Sequence, residues 1–486
     1  MKYSETPELR AITPSYQVRM LSDEQLMQFK SATLTILDEV GIHCPSEKAL
    51  GIYAEHGAEV DFSSQIVKLP PDVVTEAMSH APRCYTMGAR HRDFDLKLDG
   101  SSTYCATDGC GTETIDFVTR ERRASVKDDV AKMARVTDYL SSMAFYWPMV
   151  SAQDYAAAAP LHEIDASFAN TVKHVQTETL MGETPARYGV EMARVMAGDE
   201  ETMRQRPPLS SLVCTIAPLA QDKGGIESAL VFAEAGLPVG FMSMATAGST
   251  APATTAGTMV VADAEMVSAM VLMQMAYPGA PVYHSMMPGI MHPRTGHFLG
   301  GGGEAGLFYP LGVELAHMWG VPTLAGIGTE APALGWESGM GVAANILLCA
   351  LCGADTASGL GLRETCTLLY PEALVLDAES FEVAHLYARS LNVGPEDFAL
   401  DVIKTVGPRG HYLAQGHTRQ QMREWKLSEL VDQPDGEGGY RDPIEVAREK
   451  TAWILENHHP RPLEKAQAAE LRRILAAAER ELGEEA

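Results

Sequence analysis

Acidic and aromatic side chains stand at the ends of short apolar segments that are typical of β-strands. Acids and aromatic rings outnumber bases at these positions. Carboxylates and ring faces together suit a cation, since each good cation–π contact contributes ~0.5–2 kcal/mol. We interpret the positions as candidates for one site that binds a positive ligand. They are Asp108, Tyr146, Trp147, Gln176, Glu178, His284, Ser285, Thr329, Glu330, Trp336, Arg363 and Glu364.

Motifs of other chemistries are missing. The sequence has no H-E-x-x-H, G-x-S-x-G or P-loop pattern, which leaves metallopeptidase, serine hydrolase and nucleotide chemistry without support. It also lacks D-x-H-x-x-G, the pattern of a cobalamin-ligating loop. Asp108, Glu178 and Glu330 follow different strands, so the paired carboxylates of a glycosidase stay open as an alternative.

Strand-like and helical segments alternate from about residue 102. Such alternation requires parallel strands joined by crossover helices. Eight units over roughly 290 residues predict an α/β fold, a closed (β/α)8 TIM barrel, with its chemistry at the carboxyl ends of the strands. No G-x-G-x-x-G joins a strand to a helix, which disfavours a dinucleotide-binding sheet. The predicted strands are 102–107, 142–147, 172–177, 211–216, 238–243, 281–286, 322–327 and 354–359, and the predicted helices are 126–139, 157–170, 184–198, 224–236, 259–277, 303–318, 338–352 and 379–391.

The barrel core is predicted over residues 101–395, between an N-terminal cap and a C-terminal extension. The cap, 1–100, begins with a helix that Ser22 and Gln25 start as a capping box. Alternating residues at 93–98 and 114–119 predict a small antiparallel sheet. The extension, 396–486, is predicted to be helical and packed on the barrel. Its segment 463–483 carries a leucine-rich stripe suited to packing or to oligomer formation.

The composition of the chain disfavours several classes of binding partner. A formal net charge of −26 disfavours nucleic acid, which needs clustered Lys and Arg. The eight Cys form no disulfide or zinc pattern, and the pair Cys349 and Cys352 suits a helix core. The N-terminus has no leader-like apolar stretch and no uncharged apolar run reaches membrane-spanning length, so we expect a cytoplasmic protein without membrane contact. The glycines at 300–303 fit an anion site or a lid loop equally well.

Several runs together resemble the trimethylamine methyltransferase family. The likeness spans nearly the whole chain and implies a (β/α)8 barrel. It also implies transfer of a methyl group from a methylated amine to cob(I)alamin, which a separate corrinoid protein carries, so that this chain binds no cofactor tightly itself. The runs are SDEQLMQFKSATLTILDEVGIHCPSEKAL (22–50), GGGEAGLFYPLGVELAHMWGVPTLAGIGTEA (301–331), CGADTASGLGLRE (352–364), EALVLDAESFEVA (372–384) and VGPRGHYLAQGHTRQQMREW (406–425).

One segment departs from the founding members of that family. They carry pyrrolysine in the barrel, whereas this chain reads GTEAPALGWESGM at 328–340. Relatives without pyrrolysine look like demethylases of quaternary amines such as betaines. A quaternary nitrogen leaves as a neutral amine and needs no general acid, so loss of the special residue is tolerable. Our hypothesis assigns seven residues to cation recognition, of which Asp108 and Glu330 are also the catalytic candidates; the others are Tyr104, Tyr146, Trp147, Glu178 and Trp336. It assigns the carboxylate of a zwitterion to His284, Arg294, His297 or Arg363.

Other readings remain beside this hypothesis. The chain is alternatively a betaine-binding or sensing barrel that has lost its corrinoid partner, or a tertiary methylamine methyltransferase. His411 and His417 fit a hydrogen-bonded clamp between the extension and the barrel, or a metal site if a third ligand lies nearby; no metal site is assigned. We also expect a homo-oligomer.

Overall fold

A closed barrel of eight parallel strands forms the centre of the molecule, which a computed structural model describes for residues 8–485. All eight strands coincide with segments that the sequence predicts as strands, and the predicted (β/α)8 fold is confirmed. The eighth strand pairs with the first and closes the barrel. The strands are β1 (Tyr104–Thr107), β2 (Met143–Tyr146), β3 (His174–Thr177), β4 (Leu209–Cys214), β5 (Val239–Ser243), β6 (Val282–Met286), β7 (Thr323–Gly326) and β8 (Thr356–Leu360).

One long helix follows each strand and covers the outside of the barrel. These helices bury apolar faces against the strands, as a two-layer α/β architecture requires. A short additional helix, Glu200–Gln205, lies between the third helix and β4. The barrel helices are α1 (Lys127–Tyr139), α2 (Ala159–Asn170), α3 (Glu183–Ala197), α4 (Lys223–Ala235), α5 (Thr255–Ala276), α6 (Phe308–Trp319), α7 (Trp336–Leu351) and α8 (Ala373–Tyr387).

Large side chains fill the barrel interior. Tyr283 of β6 crosses it and donates its hydroxyl hydrogen bond to Gln176 Oε1 of β3 at 2.8 Å. The Tyr283 ring lies over Gly240 of β5, where any Cβ would overlap the ring. A glycine is therefore required there. Lower in the barrel, His174 Nε2 pairs with Ser210 Oγ at 2.9 Å, so the interior is a packed core rather than a pore.

The N-terminal cap covers α5 and the amino-terminal end of the barrel. Its first helix, Asp23–Thr35, begins with the predicted Ser22–Gln25 capping box, continues as a π-helical turn, Ile36–Val40, and ends at Gly41. The helices Glu47–Glu55 and Pro71–Ser79 follow, with short strands Ile42–His43, Glu59–Asp61 and Ile66–Lys68 paired between them. Residues 1–7 lie outside the described residues, and they include part of the N-terminal segment in which we expect no leader.

The small sheet predicted from residues 93–98 and 114–119 does not form. Leu96–Leu98 pairs instead with Tyr85–Met87 at the amino-terminal end of the barrel. Glu113–Ile115 belongs to a four-stranded sheet at the opposite end. The prediction was wrong because both segments alternate in polarity, and alternation does not identify the partner strand.

The four-stranded sheet at the carboxyl end flanks the loops that follow β1 and β8. Glu113–Ile115 pairs antiparallel with Arg122–Ala124 and parallel with Leu368–Leu369, which pairs in turn with Leu362–Arg363. The sheet thus ties the loop after β1 to the loop after β8.

The C-terminal extension packs on the barrel only in its second half. Pro443–Asn457 lies against α1 and α8, and Lys465–Glu485 lies against α3. The predicted stripe of the last helix is buried through Leu471, Ile474, Leu475 and Leu482. Residues 390–427, with the short helices Leu400–Val406 and Gly416–Gln421, bury no side chain.

The helix α5 is long and apolar enough to cross a membrane by composition alone. In this structure 78% of its apolar window is buried inside the protein. Burial between the barrel and the cap accounts for that composition.

His284, a candidate ligand-binding residue, faces away from the barrel interior. It follows Tyr283, which points inward, and neighbouring residues of a strand face opposite sides. Its Nε2 pairs with Asp263 Oδ1 of α5 at 3.0 Å, and Asp263 also accepts from Trp319 Nε1 at 3.0 Å and Thr33 Oγ1 at 2.6 Å. All four side chains lie in the protein interior, so His284 joins the strand to the helices and the cap.

We predict that Asp263→Ala destabilises the protein by about 3 kcal/mol, because it leaves buried donors of His284 and Trp319 unpaired. Thermal unfolding of the purified variant measures the effect. The matched control is Asp23→Ala, which removes an exposed ion pair with Arg19 and should cost less than about 1 kcal/mol. Equal effects of the two substitutions would show that the buried network contributes nothing special.

Candidate active site

Three of the predicted site residues meet at the carboxyl end of the barrel. Asp108 directly follows β1, Trp147 follows β2 and Glu178 follows β3. Asp108 and Trp147 are buried, and Trp147 is fixed by hydrogen bonds of its backbone to Thr107 Oγ1. A Cβ at Gly109 would overlap the Trp147 ring, so glycine lets the loop pass close to the indole. We call this region the mouth.

Asp108 lies in the mouth and forms no ion pair among the described residues, because the nearby Arg363 is paired with Asp377. Asp108 Oδ1 accepts a hydrogen bond from Gly109 N at 2.9 Å. Burial, together with the negative charge of Glu178, raises the pKa of the Asp108 carboxyl to about 7. At neutral pH this carboxyl is therefore poised between its two protonation states, as at many catalytic sites.

Two thiols hold the carboxylate of Glu178. Cys110 Sγ donates to Glu178 Oε2 at 2.6 Å, and Cys214 Sγ donates to Oε1 at 3.0 Å. Burial raises the pKa of Glu178 despite these two donors. Burial and the Glu178 charge also raise the pKa of both thiols well above the ordinary range, so they stay protonated and act as donors rather than nucleophiles.

Unusual backbone conformations shape the loops after β1 and β8. Cys110 has a φ of 69°, and Glu364, Thr365 and Cys366 have φ values of 53°, 55° and 61°. Left-handed conformations of non-glycine residues are costly and gather at functional sites. Here two backbone bonds from the β8 loop, Glu364 N to Ala331 O and Thr365 N to Thr329 O, attach it to the loop after β7.

Glu330 stands on that loop after β7, half-buried at the edge of the mouth. It accepts a hydrogen bond from Gly301 N at 2.7 Å, within the glycine run 300–303. Tyr309 donates to the carbonyl of Gly300 in the same run. The glycine run is thus held against the loop of Glu330.

A cavity of about 170 Å³ opens beside Trp147 and Glu178. Its volume corresponds to roughly six water molecules at ~30 Å³ each. A second buried carboxylate, Glu163 of α2, lines the cavity and accepts from Ser151 Oγ, Ala152 N and Thr179 Oγ1. Burial raises the pKa of Glu163. The cavity therefore joins an aromatic ring to two carboxylates that lack a cationic partner among residues 8–485.

Three other predicted residues lie elsewhere. Tyr104 is the first residue of β1 and stands at the amino-terminal end, opposite the mouth. Tyr146 points outward, and its hydroxyl donates to Val130 O of α1 at 2.9 Å. Arg363 is buried in a two-point ion pair with Asp377 at 2.9 and 3.0 Å, so its charge is already matched. The structure does not bring these three residues, or His284, to the mouth, because each lies at the other end of its strand, faces outward or is bound by another side chain.

The remaining predicted residues lie on the rim or deeper in the barrel. Trp336 begins α7 and is 73% exposed, so it borders the mouth without entering the cavity. Arg294 and His297 are exposed on the loop after β6 and make no ion pair among the described residues. Gln176 lies deeper in the barrel, on Tyr283.

Sequence reasoning missed the three cysteines of the mouth. Cys214 ends β4 and would have been found by the same strand-end rule that found Asp108. Cys110 lies two residues beyond Asp108. Cys366 follows β8, where burial and then the charges of Asp108 and Glu178 raise its pKa. His411 and His417 are exposed and half-buried respectively, and no group of three or more potential metal ligands occurs among the described residues.

Fold and mouth together define a (β/α)8 barrel with a buried acidic and aromatic site. Comparison with known proteins is consistent with this description. Residues 2–483 match the family described as trimethylamine methyltransferase (MTTB). The chain therefore belongs to the trimethylamine methyltransferase family, as a member whose segment 328–340 contains standard residues only.

Individual relatives cover nearly the whole chain. The trimethylamine methyltransferase MttB of Desulfitobacterium hafniense is 32% identical over 468 residues, which cover 95% of this chain and 94% of the relative. The glycine betaine methyltransferase of the same species is 28% identical over 485 residues, covering 98% and 99%. A solved structure of the hydroxylamine complex of MtmB aligns with a TM-score of 0.50 at 12% identity, covering 97% and 96%, which supports the fold.

We predict that Asp108→Asn raises the stability of the protein above pH 7. The unfolded carboxyl ionises near pH 4 and the folded one near pH 7, so wild-type stability falls as the pH rises through this window. The asparagine variant lacks this loss. The gain should reach a few kcal/mol, since a one-unit change in pKa corresponds to about 1.4 kcal/mol.

Thermal unfolding between pH 4 and pH 8.5 tests this. The difference between variant and wild type should be smallest at pH 4 and largest above pH 7. Asp128→Asn, at an exposed ion pair of α1, serves as the control and should show no such trend. A variant less stable than the wild type at pH 8 would contradict the expected cost of the buried charge.

Proposed function

We propose that this protein is a methyltransferase that removes a methyl group from a quaternary amine of the betaine class and passes it to a corrinoid on a separate protein. The observation that carries the proposal is a pair of carboxylates, the buried Asp108 and the partly buried Glu178, which lie near Trp147 and form no ion pair with a cation among residues 8–485. A permanently charged ammonium group supplies the balancing positive charge and cannot lose it by deprotonation. The similarity to a glycine betaine methyltransferase supports the same substrate class.

The cavity recognises the ammonium group by charge and by ring face. Glu178 is held in place by its two thiol donors, and Asp108 on the neighbouring loop lies close enough for its charge to interact with that of Glu178. Methyl groups on nitrogen carry much of its positive charge, so they pack against the Trp147 ring with cation–π attraction. Arg294 and His297 remain as partners for the carboxylate of a zwitterion, since Arg363 and His284 are occupied.

Binding and chemistry draw on different features. The positive charge on nitrogen fades as its bond to the methyl carbon breaks, so the carboxylates stabilise the bound substrate more than the transition state. The rate comes instead from orientation and from exclusion of water, because a methyl carbon must face its acceptor in line. The leaving amine is neutral and takes no proton from Asp108. Glu330 holds the glycine run at the edge of the mouth.

The rim of the mouth fits a corrinoid brought by another protein. Gly302, Gly303, Gly335 and Gly339 have open space where a side chain would stand. Trp336, Met340 and Leu307 are exposed on the same rim. Glycines leave room on the rim for a large flat group such as a corrinoid. Trp336, Met340 and Leu307 would hold the corrinoid through apolar contacts. The corrinoid in its Co(I) state supplies the nucleophile that accepts the methyl group.

The direct experiment mixes the purified protein with free cob(I)alamin and one amine at a time. Glycine betaine, proline betaine, carnitine, γ-butyrobetaine and trimethylamine form the set, and loss of the Co(I) absorbance is the readout. We expect transfer from at least one quaternary amine and none from trimethylamine. Tight betaine binding without transfer to cob(I)alamin, or to any corrinoid protein tried, would indicate a sensing barrel. Transfer from trimethylamine alone would indicate a tertiary amine enzyme.

We predict that binding of the active quaternary amine weakens as the pH falls through 7. Protonation of Asp108 removes one of the charges that attract the cation, and its pKa is raised to about 7. Below that pH the dissociation constant should rise by up to about tenfold for each pH unit. Calorimetric titrations from pH 5.5 to 8.5 measure it.

Two variants separate this cause from a general charge effect. Asp108→Asn should bind more weakly at pH 8 and lose most of the pH dependence. Glu121→Gln removes an exposed carboxylate of the hairpin near the mouth and should keep the wild-type profile. A pH-independent wild type would rule out Asp108 as the titrating partner of the cation.

We also predict that Trp336→Ala weakens the interaction with cob(I)alamin but not the binding of the amine. Removing the exposed indole should raise the KM for cob(I)alamin roughly tenfold, because the corrinoid loses a stacking contact worth about 1.4 kcal/mol. The dissociation constant of the amine should not change, since Trp336 lies outside the cavity. Val118→Ala, at an exposed turn beyond the rim, is the control. A change in amine binding instead would place the indole at the substrate.

A further inference from the structure

We propose that residues 390–427 form an arm that clasps a second copy of this chain. The arm contains the helices Leu400–Val406 and Gly416–Gln421 and buries no side chain anywhere along its length. Its hydrogen bonds all join residues of the arm itself. The chain on either side is firmly packed, since Ala388 and Leu430 are both in the barrel core. The arm therefore leaves the body and returns to it.

Large apolar side chains cover the arm. An ordered segment needs buried apolar area to offset a backbone entropy cost of ~1–2 kcal/mol per residue, and no side chain of the arm is fully buried within its own chain. Exposed apolar patches of this extent mark sites of association. The side chains concerned are Leu391, Val393, Phe398, Leu400, Ile403, Tyr412, Leu413, Met422, Trp425 and Leu427.

The positive charge of the arm favours an acidic partner. The distal part of the arm, 404–426, has five cationic side chains and one carboxylate, whereas the whole chain has a net charge of −26. Of these cations only Lys404 has an ion pair within the described chain, a distant one to Asp401 at 3.6 Å. An acidic surface complements this segment, and a second copy of this chain is acidic overall. The cationic residues are Lys404, Arg409, Arg419, Arg423 and Lys426.

A reciprocal contact, in which each copy places its arm on the other, covers the apolar side chains of both arms. If each arm lies on the body of the other copy, the two contacts are equivalent and the pair closes on itself. Ten large apolar side chains, each with much of its surface exposed, supply on the order of the ~800 Å² per partner that a stable interface buries. Contact of arm with arm would instead bring the cations together.

The position of the arm separates it from the mouth. The arm begins beyond the carboxyl end of α8, and a barrel helix returns the chain to the amino-terminal end of the strands. Backbone contacts confirm the end of the barrel at which it begins: Ser15 N donates to Ala388 O, and Val18 N donates to Leu351 O at the end of α7. A corrinoid protein at the mouth would thus not cover the base of the arm.

The test measures the mass of the full-length protein in solution. Light scattering after size-exclusion chromatography should give a dimer or a larger closed assembly for the wild type. Leu413→Glu combined with Leu427→Glu should shift the protein to monomer, with a rise of at least tenfold in the dissociation constant. Both side chains are about 70% exposed, so circular dichroism should remain unchanged.

Two control variants test whether the effect is specific to the arm. Phe62→Glu and Val118→Glu place the same charge at exposed apolar positions of the cap and of the mouth-side hairpin, and should leave the assembly intact. Arg419→Glu with Arg423→Glu should weaken the assembly in low salt and less so in 1 M salt, where exposed charges are screened.

Cross-linking identifies the contact directly. Light and ¹⁵N-labelled copies are mixed, allowed to exchange subunits and cross-linked between amines and carboxylates. Links from Lys404 or Lys426 to the barrel body should join a light peptide to a heavy one. A monomeric wild type at tens of micromolar, an assembly indifferent to the arm variants, or links confined to one copy would each overturn the proposal. So would an arm that binds only a corrinoid protein.

Discussion

Removal of carboxylates from water is the constraint on which the mouth depends. A buried carboxylate without a cation is unfavourable, and the raised pKa of Asp108 reflects that cost. The fold meets the cost with donors that carry no charge: a backbone amide for Asp108 and two thiols for Glu178. Neutral donors hold the oxygens in place and leave the negative charge unbalanced, so attraction for a cation is preserved.

The cations of the chain are kept away from these carboxylates by pairs of their own. Arg363 lies close enough to lower the pKa of Asp108, yet its guanidinium is bound on two sides by Asp377 of α8. Asp377 also accepts from Gly361 N, which ties the pair to the end of β8. A buried ion pair of this kind contributes little net stability but fixes the partners in one place. Its effect here is that no arginine enters the cavity.

Much of the architecture was predictable from the sequence because each barrel strand is a buried apolar run followed by a turn and a helix. The strand-end rule then found Asp108, Trp147 and Glu178. It failed for Tyr104 because the residue stands at the start of its strand, and for Tyr146 because it lies next to an inward residue. Successive residues of a strand face opposite sides of the sheet. An error of one residue in the predicted register therefore places every side chain of the strand on the wrong side.

Other failures have a non-local cause. Nothing near Arg363 in the sequence reveals that Asp377 is its partner, and nothing near His284 reveals Asp263, because a helix brings each acid to the strand. The cysteines were weighed as metal or disulfide ligands, whereas Cys110 and Cys214 act as hydrogen-bond donors to one carboxylate. Donor roles of this kind depend on geometry rather than on spacing along the chain.

The two proposed contacts of the molecule lie at opposite ends of the same barrel for a physical reason. A mouth that receives a large group from another protein has to remain uncovered, and its rim accordingly carries glycines and a few exposed apolar side chains. The stability lost to buried charge there has to be recovered elsewhere. Association through the arm adds free energy by mass action, and the base of the arm lies away from the mouth. An acidic body then favours the contact with the cationic arm of a second copy.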